Sequence, residues 1–138
     1  MPLSLRKDVR DSLENWVRSG YPNETCGLLI GASHEGVAVT ARAVLARNLN
    51  QERARDRYEL DPMDQLAAEA AARAAGLEVI GVWHSHPDHP ARPSETDRMM
   101  AWPQWYYLII SVSNESIEDV RAWQLNHNGE FEEEAILP

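Results

Sequence analysis

The segment that most restricts the fold is Leu77-Glu-Val-Ile-Gly-Val-Trp83. It is nearly continuously apolar and partly β-branched. Gly76 bounds it on one side and a histidine- and proline-rich stretch on the other. A run of this kind fits a strand buried on both faces, and such a strand needs neighbours beside it and layers above and below. Other segments supply them. Cys26 to Gly31 reads as a second buried strand, and Val37 to Leu45, after a His34-Glu35-Gly36 turn, as a third. Leu5, Val9, Leu13 and Trp16/Val17 fall at helical spacing, which predicts an amphipathic helix over 5–18, ended by Gly20, Pro22 and Asn23. Asp61-Pro62 predicts a helix start, with Asp as N-cap and Pro at the first helical position. That helix runs through an Ala-rich stretch to Ala75, with Gly76 at the C′ position.

Between the third strand and this helix, residues 48–60 are polar and densely charged, and read as a loop with a brief strand at Tyr58 to Leu60. A short helix is expected over Ser94 to Met100, closed by Pro103, and two further strands over Tyr107 to Val112 and Val120 to Leu125. Glu130 to Glu134 reads as a solvated edge or terminus. Strands interleaved with helices predict an α/β fold, one domain over residues 1–138 with a mixed β-sheet flanked by helices.

Composition removes several classes of function. With 13 basic against 22 acidic residues, the formal charge is −9, which argues against a generic nucleic-acid backbone binder. No run approaches the roughly 18 apolar residues of a membrane span. The first residues lack an apolar signal-peptide core, so a cytoplasmic location is expected. The single cysteine, Cys26, excludes an internal disulfide and a multi-cysteine zinc site.

The chemistry is concentrated in His84-Ser-His-Pro-Asp-His-Pro-Ala-Arg-Pro-Ser94-Glu-Thr-Asp97. His84 and His86 lie at the end of a strand, where a period of two puts both imidazoles on one face, about 6.6 Å apart at Cα. That spacing suits two nitrogen ligands on one zinc ion. Asp97, in the first turn of the short helix, can point back at them. Two imidazoles and one carboxylate leave a fourth zinc position open, as catalytic sites require. Such a site needs a base, and Glu24 precedes a strand that could lie beside the histidine strand. Ser94 could donate to the oxyanion of a tetrahedral intermediate.

The pattern Glu24, His84-x-His86 and Ser94-x-x-Asp97 resembles the JAMM (MPN+) zinc metalloprotease motif. Pro22-Asn-Glu-Thr-Cys-Gly-Leu-Leu-Ile-Gly31 is similar to the family strand that carries the glutamate. Asn48, the charged loop, Asp61-Pro62 and Gly81-Val-Trp-His-Ser-His-Pro87 resemble its small prokaryotic members. The resemblance spans about Leu5 to Leu125 and implies a cytidine-deaminase-like MPN/JAMM fold. It further implies one Zn2+ held by His84, His86 and Asp97, with Glu24 as general base and acid and Ser94 stabilising the intermediate. The implied substrate is an amide or isopeptide bond after the C-terminal Gly-Gly of a ubiquitin-like or sulfur carrier protein. The alternative is a non-catalytic MPN-type scaffold, which would be marked by loss of one of these residues; all five are present. A third reading is a cell-wall peptidase like phage-tail-associated relatives, which tend to carry a second peptidase domain. The His-Glu-x-x-His zincin motif and the nucleobase deaminase motif are both absent.

Plainer readings cover other residues. Ser94-x-x-Asp97 is also a capping-box signature. His34, His89 and His127 are expected in solvent, and Cys26 in the core. Trp102, Trp105, Tyr106 and Tyr107 are read mainly as packing, with an exposed share available to a partner. Asp88, Arg92 and the Arg53/Arg55/Arg57 loop are secondary candidates for substrate contact.

Overall fold

The computed structural model spans Met1–Pro138. Its strands are β1 (Leu3–Leu5), β2 (Cys26–His34), β3 (Val37–Ala46), β4 (Glu78–Pro87), β5 (Tyr106–Ser113), β6 (Ser116–Leu125), β7 (Phe131–Glu134) and β8 (Ile136–Leu137). They form one sheet in the order β7-β6-β5-β4-β2-β3-β1-β8. The β4–β5 pair is parallel, as are β1–β3 and β1–β8, while β2–β3, β2–β4, β5–β6 and β6–β7 are antiparallel. The helices are α1 (Lys7–Gly20), α2 (Pro62–Ala74) and α3 (Glu95–Met100). None is long and apolar enough to cross a membrane. The expected mixed sheet with flanking helices is therefore present.

The alternation of side chains along the strands divides the core in two. On one face α1 buries Val9, Leu13 and Val17 against Leu29, Trp83, Leu108 and Ile110. On the other, α2 sets the small residues Ala68 and Ala72 over Leu28, Ile30, Val82 and Tyr107. Small side chains let this helix lie close to the sheet. Asp61 caps α2 by accepting from the Met63 N–H at 2.9 Å, and Gly76 beyond its end takes a φ of +74°, a region that glycine enters without strain.

Trp83 fixes the central strands. It lies opposite Gly27 in the β2–β4 register, and its indole N–H crosses β2 to donate to the Val44 carbonyl of β3 at 3.0 Å. A side chain at Gly27 would sit 1.9 Å from that carbonyl oxygen and 2.5 Å from the indole nitrogen. Glycine is what makes the crossing possible.

The structure refines the sequence expectations in several places. Leu5, expected to open the first helix, ends β1 and is buried. The brief strand expected at Tyr58 to Leu60 is a single bridge between Asn48 and Leu60. His34, expected in a turn, ends β2. The strand expected at Leu77 to Trp83, with His84 and His86 at its end, runs to Pro87. The acidic segment read as a solvated edge or terminus is an edge of the sheet: Phe131–Glu134 forms β7, pairing with β6 and packing Phe131 edge-on to Tyr107 at 5.7 Å.

Candidate metal and catalytic site

Period-two alternation on β4 puts Val82, His84 and His86 on the α2 face, near the strand's carboxyl end. On β2, Cys26 is the register partner of His84, so Glu24, just before the strand, reaches the same place. The crossover from β4 to the parallel strand β5 contains α3, whose N-terminus faces back toward the end of β4. Ser94 caps that helix: its Oγ accepts from the Asp97 N–H at 3.0 Å, and Asp97 Oδ2 accepts from the Ser94 N–H at 2.8 Å. The capping box and the convergence on the histidines are thus one arrangement, because the cap fixes where Asp97 points.

The structure brings Glu24, His84, His86 and Asp97 together, all buried. Donor atoms of Glu24, His84 and His86 lie within 4.8 Å of one another. Asp97 Oδ1 is 3.6 Å from His84 Nε2, and Asp97 Oδ2 is 3.2 Å from His86 Nε2. Glu24 Oε1 is 3.4 Å from His84 Nδ1. His86 Nδ1 donates to the Pro90 carbonyl at 2.8 Å, which turns its Nε2 toward Asp97. His84 Nε2 is buried and has no hydrogen-bond partner. A buried polar atom left unpaired carries a desolvation cost, and an ion is one way to offset it. Two ligand atoms of a tetrahedral zinc site stand about 3.3 Å apart. The 3.2 and 3.6 Å separations lie close to that value, so the residues present fit such an ion.

Electrostatics agree with the geometry. Burial by itself would raise the Asp97 carboxyl, but the His86 hydrogen bond, the His84 charge and the Ser94 N–H outweigh it and hold the group well below the usual carboxylate range. Burial pushes the His86 imidazole down, while Asp97 and the Pro90 carbonyl push it up, and the net shift is upward. Cys26 is buried and its thiol is pushed up to about 12, chiefly by burial and then by Glu24 and Asp64, so it is no thiolate nucleophile.

A cleft of about 280 Å3 opens over these groups, lined among others by Glu24, Tyr58, Ser94, Asp97, Trp102 and Trp105. Two contributors were given no role at the site by the sequence reading. Tyr58 stacks on His84 with ring centroids 4.4 Å apart, which fixes the imidazole from above. Asn48, named there only as part of the family resemblance, ties the loop to Glu24: its side-chain NH2 donates to the Glu24 and Arg57 carbonyls at 3.1 Å each, and its Oδ1 accepts from the Asn50 N–H at 3.0 Å and the Glu59 N–H at 2.9 Å.

The secondary candidates separate. His34, His89 and His127 are exposed. Both Asp88 oxygens accept from the Tyr21 hydroxyl, at 2.9 and 2.8 Å. Arg92 is exposed. Tyr106 and Tyr107 are core residues, whereas Trp102 is 66% exposed at the rim of the cleft.

Comparison with known proteins gives a consistent picture. Residues 6–126 match the family described as prokaryotic homologs of the JAB domain. The chain is 40% identical over 114 residues to a desampylase from Haloferax volcanii, covering 79% of this chain and 80% of that protein. It is 29% identical over 124 residues to a CysO-cysteine peptidase from Mycobacterium tuberculosis, covering 89% and 82%. A solution structure of a protein from Desulfitobacterium hafniense superposes with a TM-score of 0.85 at 32% identity, covering 98% of this chain and 91% of that one. With the match running through both strands of the site and the helix that supplies Asp97, the chain belongs to the prokaryotic branch of the JAB-domain (JAMM/MPN) family.

Proposed function

We propose that this protein is a zinc-dependent peptidase or isopeptidase that cleaves the amide bond after the C-terminal Gly-Gly of a ubiquitin-like or sulfur carrier protein. The observation that carries this reading is the buried, partnerless Nε2 of His84, which faces Asp97 beside His86, with Glu24 just before the adjoining strand. The relatives named as a desampylase and as a CysO-cysteine peptidase support the substrate class.

His84, His86 and Asp97 would hold the ion. Zinc, when bound, supplies Lewis acidity toward a carbonyl oxygen and toward water. The chain's own groups do the rest. Glu24 takes a proton from the attacking water and returns it to the departing amine. Ser94 Oγ accepts from the Asp97 N–H, which leaves its own O–H free to donate to the oxyanion of the tetrahedral intermediate. The exposed apolar residues Met100 and Trp102, at the rim of the cleft, suit the folded body of a carrier protein, whose extended tail then enters the cleft. A scaffold of the same fold would need neither the buried glutamate nor the unpaired imidazole nitrogen.

The test is to incubate the zinc-loaded protein with carrier proteins from its own genome, each extended past Gly-Gly, and to follow their masses. Shortening to Gly-Gly is expected. Tails that stay intact across the whole set would overturn the proposal.

A further inference from the structure

A second pocket, of about 390 Å3 and with different chemistry, shares the Asp56 wall with the cleft. Its walls are Pro22, Pro87, Asp88 and His89 on the sheet side and Glu52, Arg53, Arg55 and Asp56 on the loop side; apart from the prolines, every one is charged or polar. Glu24, His84, His86, Ser94 and Asp97 do not line this pocket, but Pro22 lies two residues before Glu24 and Pro87 directly after His86, so its walls are built from the segments that carry those groups. Asp56 belongs to the walls of both pockets. The first pocket, with its aromatic lining and apolar rim, suits the acyl side of the substrate. The second then receives the leaving group.

Most of the charge in the second pocket is already engaged. Asp56 is bound by the Arg53 guanidinium at 2.5 and 3.2 Å, and Asp88 by the Tyr21 hydroxyl. Arg57 is turned to the Asp56 carbonyl at 2.9 Å and lies outside this pocket. Arg55 is exposed and makes neither an ion pair nor a hydrogen bond, so it is the one guanidinium of the pocket still available. A guanidinium offers a planar fork that matches a carboxylate.

Resting on the peptidase reading above, we infer that this pocket takes the leaving group as a free amino acid, with Arg55 recognising its α-carboxylate. Hydrolysis breaks the bond between the terminal glycine carbonyl carbon and the substrate nitrogen. The water oxygen joins the acyl carbon, and its proton passes by way of Glu24 to the amine. In a C-terminal amino acid the carboxylate is borne by the carbon attached to that nitrogen, so the anion falls within this pocket. An isopeptide-linked lysine presents only an uncharged methylene chain at the same place and gives Arg55 no partner.

The experiment uses the zinc-loaded protein and a sulfur carrier protein extended past Gly-Gly by one alanine. The alanine is present as the free acid or as the C-terminal amide, and in a third substrate it is replaced by a lysine whose Nε is joined directly to the terminal glycine carbonyl. The acid is expected to be cleaved with kcat/KM roughly tenfold above the other two. Arg55→Ala should raise KM for the acid by about the same factor with kcat little changed, leave the amide unaffected, and be partly rescued by Arg55→Lys. Equal cleavage of acid, amide and isopeptide, or an Arg55→Ala loss shared by acid and amide, overturns the assignment of Arg55 while the peptidase reading stands. Failure to cleave any of the three overturns the peptidase reading, and this inference with it.

Discussion

The wall of the cleft that carries His84 and His86 belongs to a strand in the middle of an eight-stranded sheet, with Glu24 at the entry to the neighbouring strand β2, whereas the facing wall, residues 48–60, has no ladder of its own. The first wall is held by backbone pairing on both sides and by the Trp83 bond across β2. The second is held by one side-chain amide, Asn48, by the Glu24 N–H donating to the Ala54 carbonyl at 2.5 Å, and by the Tyr58 ring resting on His84. The difference separates two tasks. Groups that must hold an ion or move a proton need fixed geometry, and strands supply it. Groups that select a substrate tolerate a loop, whose sequence can change without disturbing the sheet.

Three substitutions probe this division, in descending order of expected effect. Glu24→Gln removes the proton acceptor but keeps the shape; turnover should fall about 10²- to 10⁴-fold, with zinc content unchanged by elemental analysis. Near-normal turnover would show that the rigid wall does not contain the base. Gly27→Ala forces a methyl group against the Val44 carbonyl and the Trp83 indole. It should destabilise the protein by about 3 kcal/mol in denaturant unfolding. A much smaller loss would mean that the crossing bond is dispensable to the scaffold. Asn48→Ala should leave the unfolding midpoint nearly in place, speed amide exchange across 48–60 and raise KM about tenfold. If the whole domain lost stability instead, the loop would have to be counted as part of the scaffold and the two-wall description would fail.

The rigid wall is also the half that the sequence discloses. Period two on the histidine strand, the Ser94-x-x-Asp97 helix start and the apolar run after Glu24 are local patterns, and each maps onto a local element. What escaped has no local period. β1 has three residues, too few to separate from the start of the helix that follows, and β8 has two. β7 is mostly glutamate, because an edge strand buries little and its charges face solvent. Tyr58 and Asn48 gain their importance only from partners far along the chain, His84 and Glu24, that loop sequence does not announce. The aromatic stretch 102–107 read as one cluster, yet it divides: Tyr106 and Tyr107 enter the core while Trp102 stays at the rim.

His84, His86 and Asp97 all come from one short stretch of chain, a strand end and the helix start that follows it, while Glu24 arrives from β2 through antiparallel pairing. Under the proposed assignment, ion capture and proton transfer are therefore inherited through separate parts of the polypeptide, and a descendant that replaced Glu24 alone would keep its cation and its architecture while losing hydrolysis. The domain can be disarmed without being dismantled, which gives a cleaving enzyme a one-step route to becoming a binding module.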